Sequence, residues 1–374
     1  MNHLAAPVIY RHVDLSYHND EGTFMDIYRE RMVRADNPNR DMHGLDETMF
    51  HKQQLFIDTM IRRPSYRIYV SSLIWTYMWM DDESEADQLR LWKAFQSLVN
   101  VTSVDICSMD VQQYYVNPPP LFHSATKIRI GGRMPYALFR GILAFPAKLQ
   151  SLDIDNVQGW GQVSDRVRLD HISSLYEVRE TEDENLVPIT RHPGPMIGHL
   201  LPLTGCCTKL RYLRITSVGQ DDYPDHRWCE KREKARYTEV AKFIESVKPS
   251  LERLHLEYGT EPDRPPPMGF RGIEHWKHHV GRPMDRRFIE NIIPTLSRGP
   301  WPVLISMIIR GIGGTPTQTA IRRLYTPEDD AVFIGAEKGL RSALSKDITV
   351  VWERENICGF YLLEAPGSAY DTES

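Results

Sequence analysis

One short pattern, apolar-x-x-apolar-x-apolar, recurs along this chain, and a recurring unit constrains a fold more tightly than any isolated motif. It is clean at Leu149, Leu152 and Ile154, at Leu210, Leu213 and Ile215, and at Leu251, Leu254 and Leu256. Looser copies occur at Val70, Leu73 and Trp75, at Val101, Val104 and Ile106, at Ala125, Ile128 and Ile130, and at Leu304, Met307 and Ile309. Ile348 to Trp352 reads as a terminal strand, and Leu169 to Val178 as a degenerate further copy. The central apolar residues fall at positions 73, 104, 128, 152, 213, 254 and 307. Alternation at period two makes each copy a short strand that points its apolar side chains to one side.

Apolar stripes at helical spacing precede several of these strands. Leu89, Trp92, Phe95 and Leu98 lead into Val101. Tyr237, Val240, Phe243, Ile244 and Val247 lead into Leu251, with Pro249 stopping the helix. Phe288, Ile289, Ile292, Ile293 and Leu296 precede Leu304. Helix then strand, repeated, predicts an α/β leucine-rich-repeat solenoid, an irregular horseshoe with parallel strands on its concave face and helices outside. Intervals of 24 to 61 residues make it irregular. The expected organisation is an N-terminal cap and charged loop over 1–62, the solenoid over 63–364, and a disordered tail over 365–374. Stretches rich in proline or charge are expected as loops: Arg29–Asp46, Asn117–Pro120, Glu180–Asn185, Asp221–Lys234 and Glu261–Met268.

Charge bears on the partner. The 45 basic residues are scattered among 50 acidic ones, for a formal net charge of -5, so no general attraction to nucleic acid or anionic lipid is expected, although local patches are compatible with it. The longest apolar run, Val303 to Ile309, is too short to span a bilayer. Five cysteines, two of them adjacent, make no disulfide framework, and the start carries no signal-peptide pattern, which points to cytoplasm or nucleus.

Several segments resemble a known family. Val8-Ile-Tyr-Arg-His-Val-Asp-Leu-Ser16 resembles the stretch directly after the F-box in filamentous-fungal F-box proteins with degenerate leucine-rich repeats. Arg63-Pro-Ser-Tyr66 followed by Val70 to Thr76 is similar to their first repeat, and Leu201 to Thr204, Leu210 to Gly219, Ile348 to Glu353 and Gly359 to Leu363 are similar to later portions. The resemblance implies a substrate receptor in a cullin-type ubiquitin ligase, where the F-box docks on a Skp-type linker and the repeats hold the protein substrate. Here only Met1 to Pro7 precede the resemblance, with no Leu-Pro-x-Glu helix start. A Skp-type partner is therefore expected only if an F-box lies upstream, and no residue is carried over for docking.

The residues between the apolar positions should share the concave surface. That set is Ser103, Asp105, Lys127, Arg129, Ser151, Asp153, Asp155, Tyr212, Arg214, Arg253, His255, Glu257, Ser306 and Arg310. Its sign changes from strand to strand, which suits recognition of a specific protein better than of a polyanion. Chemistry is sparse by comparison, and neither an enzyme nor a cofactor is expected. His12 and Asp14 on one side of a strand, joined to His275, His278 and His279, form the alternative: a metal-dependent hydrolase. Cys206, Cys207, His226 and Cys229 fit no zinc-finger spacing, and Gly311-Ile-Gly-Gly314 lacks the Gly-Lys-Ser/Thr ending of a phosphate loop and reads as a tight turn.

Overall fold

The protein is described by a computed structural model, which covers residues 5–16, 42–77, 84–108, 117–158, 196–217, 230–258, 282–313 and 327–354. Nine strands form one open sheet in chain order, β1 (His12–Leu15), β2 (Ser72–Tyr77), β3 (Ser103–Ser108), β4 (Lys127–Arg133), β5 (Ser151–Gln158), β6 (Tyr212–Ser217), β7 (Arg253–Tyr258), β8 (Ser306–Arg310) and β9 (Thr349–Glu353). Every neighbouring pair is parallel. Parallel neighbours need a crossover, and crossovers are right-handed. When each new strand also adds on the same side as the last, all crossovers fall on one face of the sheet.

The α-helices among the described residues are α1 (Ala6–Ile9), α2 (Met42–Arg62), α3 (Glu85–Gln96), α4 (Tyr136–Ile142), α5 (Glu230–Val247), α6 (Arg282–Asn291), α7 (Ile293–Ser297) and α8 (Pro327–Ala343). Each supplies side chains to a single core shared with the sheet: Ala6, Met60, Phe95, Phe139, Phe243, Phe288, Leu296 and Leu340 are all buried there. The seven apolar triplets read from the sequence meet them. None of those 21 side chains is more than 6% exposed. The segment expected as a cap belongs to the same sheet, because β1 pairs with β2 and α2 packs into the common core.

One backbone device repeats at the strand starts. The carbonyl just before each of β3 to β6 accepts two N–H groups at the start of the next strand: Thr102 O from Thr126 and Lys127, Thr126 O from Gln150 and Ser151, Gln150 O from Arg211 and Tyr212, and Arg211 O from Glu252 and Arg253. All these distances lie between 2.8 and 3.0 Å. The bonds use backbone only, so they hold the register whatever side chains stand at the strand starts.

Three sequence expectations need correction. Glu230 to Lys234, expected in a loop, opens α5, because Glu-Lys-Arg-Glu-Lys is a run of strong helix formers that the charge-based reading undervalued. Met42 to Asp46, expected in a charged loop, opens α2. In α3 the buried residues are Gln88, Leu91, Trp92, Ala94 and Phe95, whereas Leu89 is 49% exposed. Ser84 and Asp87 close a capping box that fixes the start of that helix, and a stripe at steps of three drifts off the buried face of a 3.6-residue turn. Leu98 lies beyond the helix and is buried there. Asn117–Pro120 is irregular as expected, whereas Leu169–Val178, Glu180–Asn185, Glu261–Met268 and the 365–374 tail lie outside the described residues.

Leu213, fully buried in β6 at the middle of the stack, reports on this core. Leu213→Ala is expected to lower unfolding free energy by about 2–5 kcal/mol, read as a reduced urea midpoint.

Candidate functional site

Strand register sorts the side chains opposite the core into three rows. The first runs along the strand starts through Ser72, Ser103, Lys127, Ser151, Tyr212, Arg253, Ser306 and Thr349. The second holds Asp105, Arg129, Asp153, Arg214 and His255 in consecutive strands. The third holds Cys107, Gly131, Asp155, Thr216, Glu257, Arg310 and Glu353. Every residue expected on the face is brought together in these rows. Glu353 is not singled out by the sequence pattern; the pairing of terminal strand β9 with β8 places it beside Arg310.

The second and third rows pair across strands. Arg129 on β4 reaches Asp105 on β3 at 3.3 Å and Asp155 on β5 at 2.9 Å. Arg214 on β6 reaches Asp153 on β5 at 3.5 Å and Glu257 on β7 at 3.3 Å. Arg310 on β8 donates to Glu353 on β9 at 2.5 Å. From β3 to β9 the sign therefore alternates strand by strand, and the two central guanidiniums each join acids on both sides. Gly131 keeps the third row open between Cys107 and Asp155, since a Cβ there would lie 2.8 Å from the Asp155 carbonyl oxygen.

Burial divides the rows sharply. Asp155, Thr216 and Glu257 are 1% exposed, whereas Lys127 and Arg253 in the first row are exposed and Tyr212 is intermediate. Pairing offsets the cost of taking the deeper charges out of water. Asp153 is the exception: desolvation, opposed by Arg214 and reinforced by Asp155, pushes its carboxyl up to about 7. Desolvation and the neighbouring Arg214 hold His255 down to about 4, so its 3.5 Å approach to Glu257 joins a neutral ring to a carboxylate near neutral pH. Burial, with Asp155 and Asp105 nearby, also raises the Cys107 thiol, which disfavours a reactive thiolate.

The hydrolase alternative finds little geometry. His12 and Asp14 lie exposed on edge strand β1, where Asp14 accepts from the Ser16 hydroxyl at 2.6 Å. His275, His278 and His279 lie outside the described residues, as do His226 and Cys229. Among the described residues no group of three or more His, Cys, Asp or Glu side chains could hold a metal ion. Cys206 is exposed and Cys207 buried, with burial raising the Cys207 thiol to about 12. Gly311 and Gly313 both take positive φ, as a tight turn after β8 requires.

One buried carboxylate carries no signal in the sequence pattern. Glu239 on α5 accepts N–H bonds from Gly198 and Leu200 at 2.5 Å and from Leu201 at 3.3 Å. It ties the segment entering β6 to a helix and has no place on the opposite face. No helix among the described residues is long and apolar enough to cross a membrane. In comparisons with known proteins, no family model and no curated protein matches the chain.

Two outcomes follow from the paired charges. Arg129→Ala leaves Asp155 buried without its guanidinium and is expected to cost about 3–5 kcal/mol in chemical denaturation. Asp153 has a folded pKa above its unfolded value, so it favours the fold below about pH 4 and loses that advantage as pH rises towards 7. Relative to the native protein, Asp153→Asn should therefore gain thermal stability between pH 4 and pH 7 and hold the gain above; melting curves across that range check it.

Proposed function

We propose that this chain is an irregular leucine-rich-repeat horseshoe that works as a non-catalytic protein-recognition module. The observation that carries the reading is the face opposite the helices. Nine parallel strands in chain order align its rows, and the charged side chains of the second and third rows are fixed against one another rather than left to solvent. A surface organised before binding loses less side-chain freedom when a partner docks. Paired charges of both signs also favour a complementary protein over a polyanion.

Burial assigns different work to different rows. Asp105, Arg129, Asp153, Asp155, Arg214, His255 and Glu257 stiffen the face, and the first row around Lys127, Ser151, Tyr212 and Arg253 meets the partner. Tyrosine and arginine are the residue types that most often anchor such contacts. The resemblance to F-box leucine-rich-repeat proteins supports a substrate receptor or adaptor for ubiquitin ligation, acting in cytoplasm or nucleus. Docking to a Skp-type linker would belong to an F-box, and none of the described residues is assigned to it. The reading gives the chain no reaction and no cofactor.

Arg214 is a poor probe of recognition, because reversing its charge would strand Asp153 and Glu257. Ser151→Arg combined with Tyr212→Ala changes the first row and leaves the paired rows intact. Quantitative affinity purification should lose the native partner by tenfold or more with this variant, at an unchanged melting temperature. An unaltered set of co-purifying proteins would remove the proposal.

A further inference from the structure

The first row continues onto the edge of the sheet where the strands begin, and there the alternation of sign ends. Taking each strand's first residue with the four before it, the starts of β4 to β7 carry Lys127, Lys148, Lys209, Arg211 and Arg253 against Glu252 alone. All five cations are exposed. Arg211 spends its charge on Glu252 at 2.6 Å, and the Lys148 ammonium donates to the His123 carbonyl at 2.6 Å. Lys127, Lys209 and Arg253 make no ion pair among the described residues. In a chain of net charge -5, this is a concentrated local reversal of sign.

The repeated backbone bonds hold these positions side by side. Strand spacing of about 4.8 Å places the four starts within about 15 Å, the reach of roughly five extended residues. Lys148 and Lys209 stand at the same repeat position, three residues before their strands, while Lys127 and Arg253 open theirs. Apolar side chains flank the basic centre along the same edge. Ile68 and Val99, before β2 and β3, are 51% and 40% exposed, and Val303 and Ile305, before β8, are 43% and 54% exposed.

Resting on the recognition reading above, we infer that this edge docks an acidic segment of the partner protein, extended across the starts of β4 to β7 with apolar residues at its ends. Charge complementarity selects acid for the centre. The aliphatic flanks suit leucine-like side chains; the rings beside the cations, Tyr212 and Phe145, are half-buried, whereas a nucleic-acid strand calls for exposed aromatic platforms.

The probe is a fluorescein-labelled peptide, Leu-Glu-Asp-Glu-Asp-Glu-Leu, titrated with the full chain by fluorescence anisotropy. Expected is saturable binding that weakens severalfold between 50 and 300 mM salt, as about 10 Å of Debye screening at 0.1 M requires for exposed charges. The combined variant Lys127→Glu, Lys209→Glu, Arg253→Glu should lose at least tenfold in affinity at an unchanged melting temperature, whereas Lys338→Glu, on exposed α8 surface, should change nothing. No peptide binding, or equal loss with Lys338→Glu, would overturn the inference. So would anionic phosphatidylserine vesicles or single-stranded RNA binding in its place and following the same variants. If the peptide fails while the Ser151 and Tyr212 variant still strips the partner, the acidic segment falls and the recognition reading stands.

Discussion

Everything in this molecule depends on parallel strands that pair in chain order with their starts in register, a register that shifts only past Gly131, between β4 and β5, among the described pairs. From β1 to β7 each strand starts one residue after a carbonyl that accepts two N–H groups at the start of the strand that follows. Equivalent positions of successive repeats are thereby stacked into rows. The apolar rows are buried together, so a stretch with only three core-facing residues contributes to a continuous core with its neighbours. A single strand could not bury them alone, so each depends on its neighbours in the sheet and on the helices packed against it.

The same stacking makes charge a collective property. In the rows that lie flat on the sheet, like charges on adjacent strands would stand about 5 Å apart, and the sequence answers with alternation. Arg129 and Arg214 each join two acids, and Arg310 closes the series on Glu353. At the strand starts solvent screens the charges, alternation is no longer required, and cations collect. The two regions have different consequences from one cause: the inner rows are paired, with three arginines among five acids, and the outer edge is exposed and basic.

Much of this was legible in the chain. Seven apolar triplets predicted seven strands and their buried sides, and burial follows them residue by residue. The residues between the triplets were correctly grouped on one face, because side-chain alternation along a strand is local geometry. The failures were also local. Helix propensity outweighs charge at Glu230–Lys234, and the cap at Ser84 sets a helix phase that leaves Leu89 exposed.

What could not be read was depth. Asp153, Asp155, Lys127 and Arg253 look alike in a strand pattern, as charged residues alternating with apolar ones. Only the assembled sheet makes Asp155 a buried partner of Arg129 and leaves Lys127 exposed at the edge. Glu239 is a sharper case: a charged residue on a helix, buried by a segment 39 residues earlier in the chain. The sequence by itself determined the period, the core and the face, because those follow from spacing along the backbone. Pairing, burial and the basic edge were decided by tertiary structure, because they depend on which strands become neighbours across separations the local pattern does not encode.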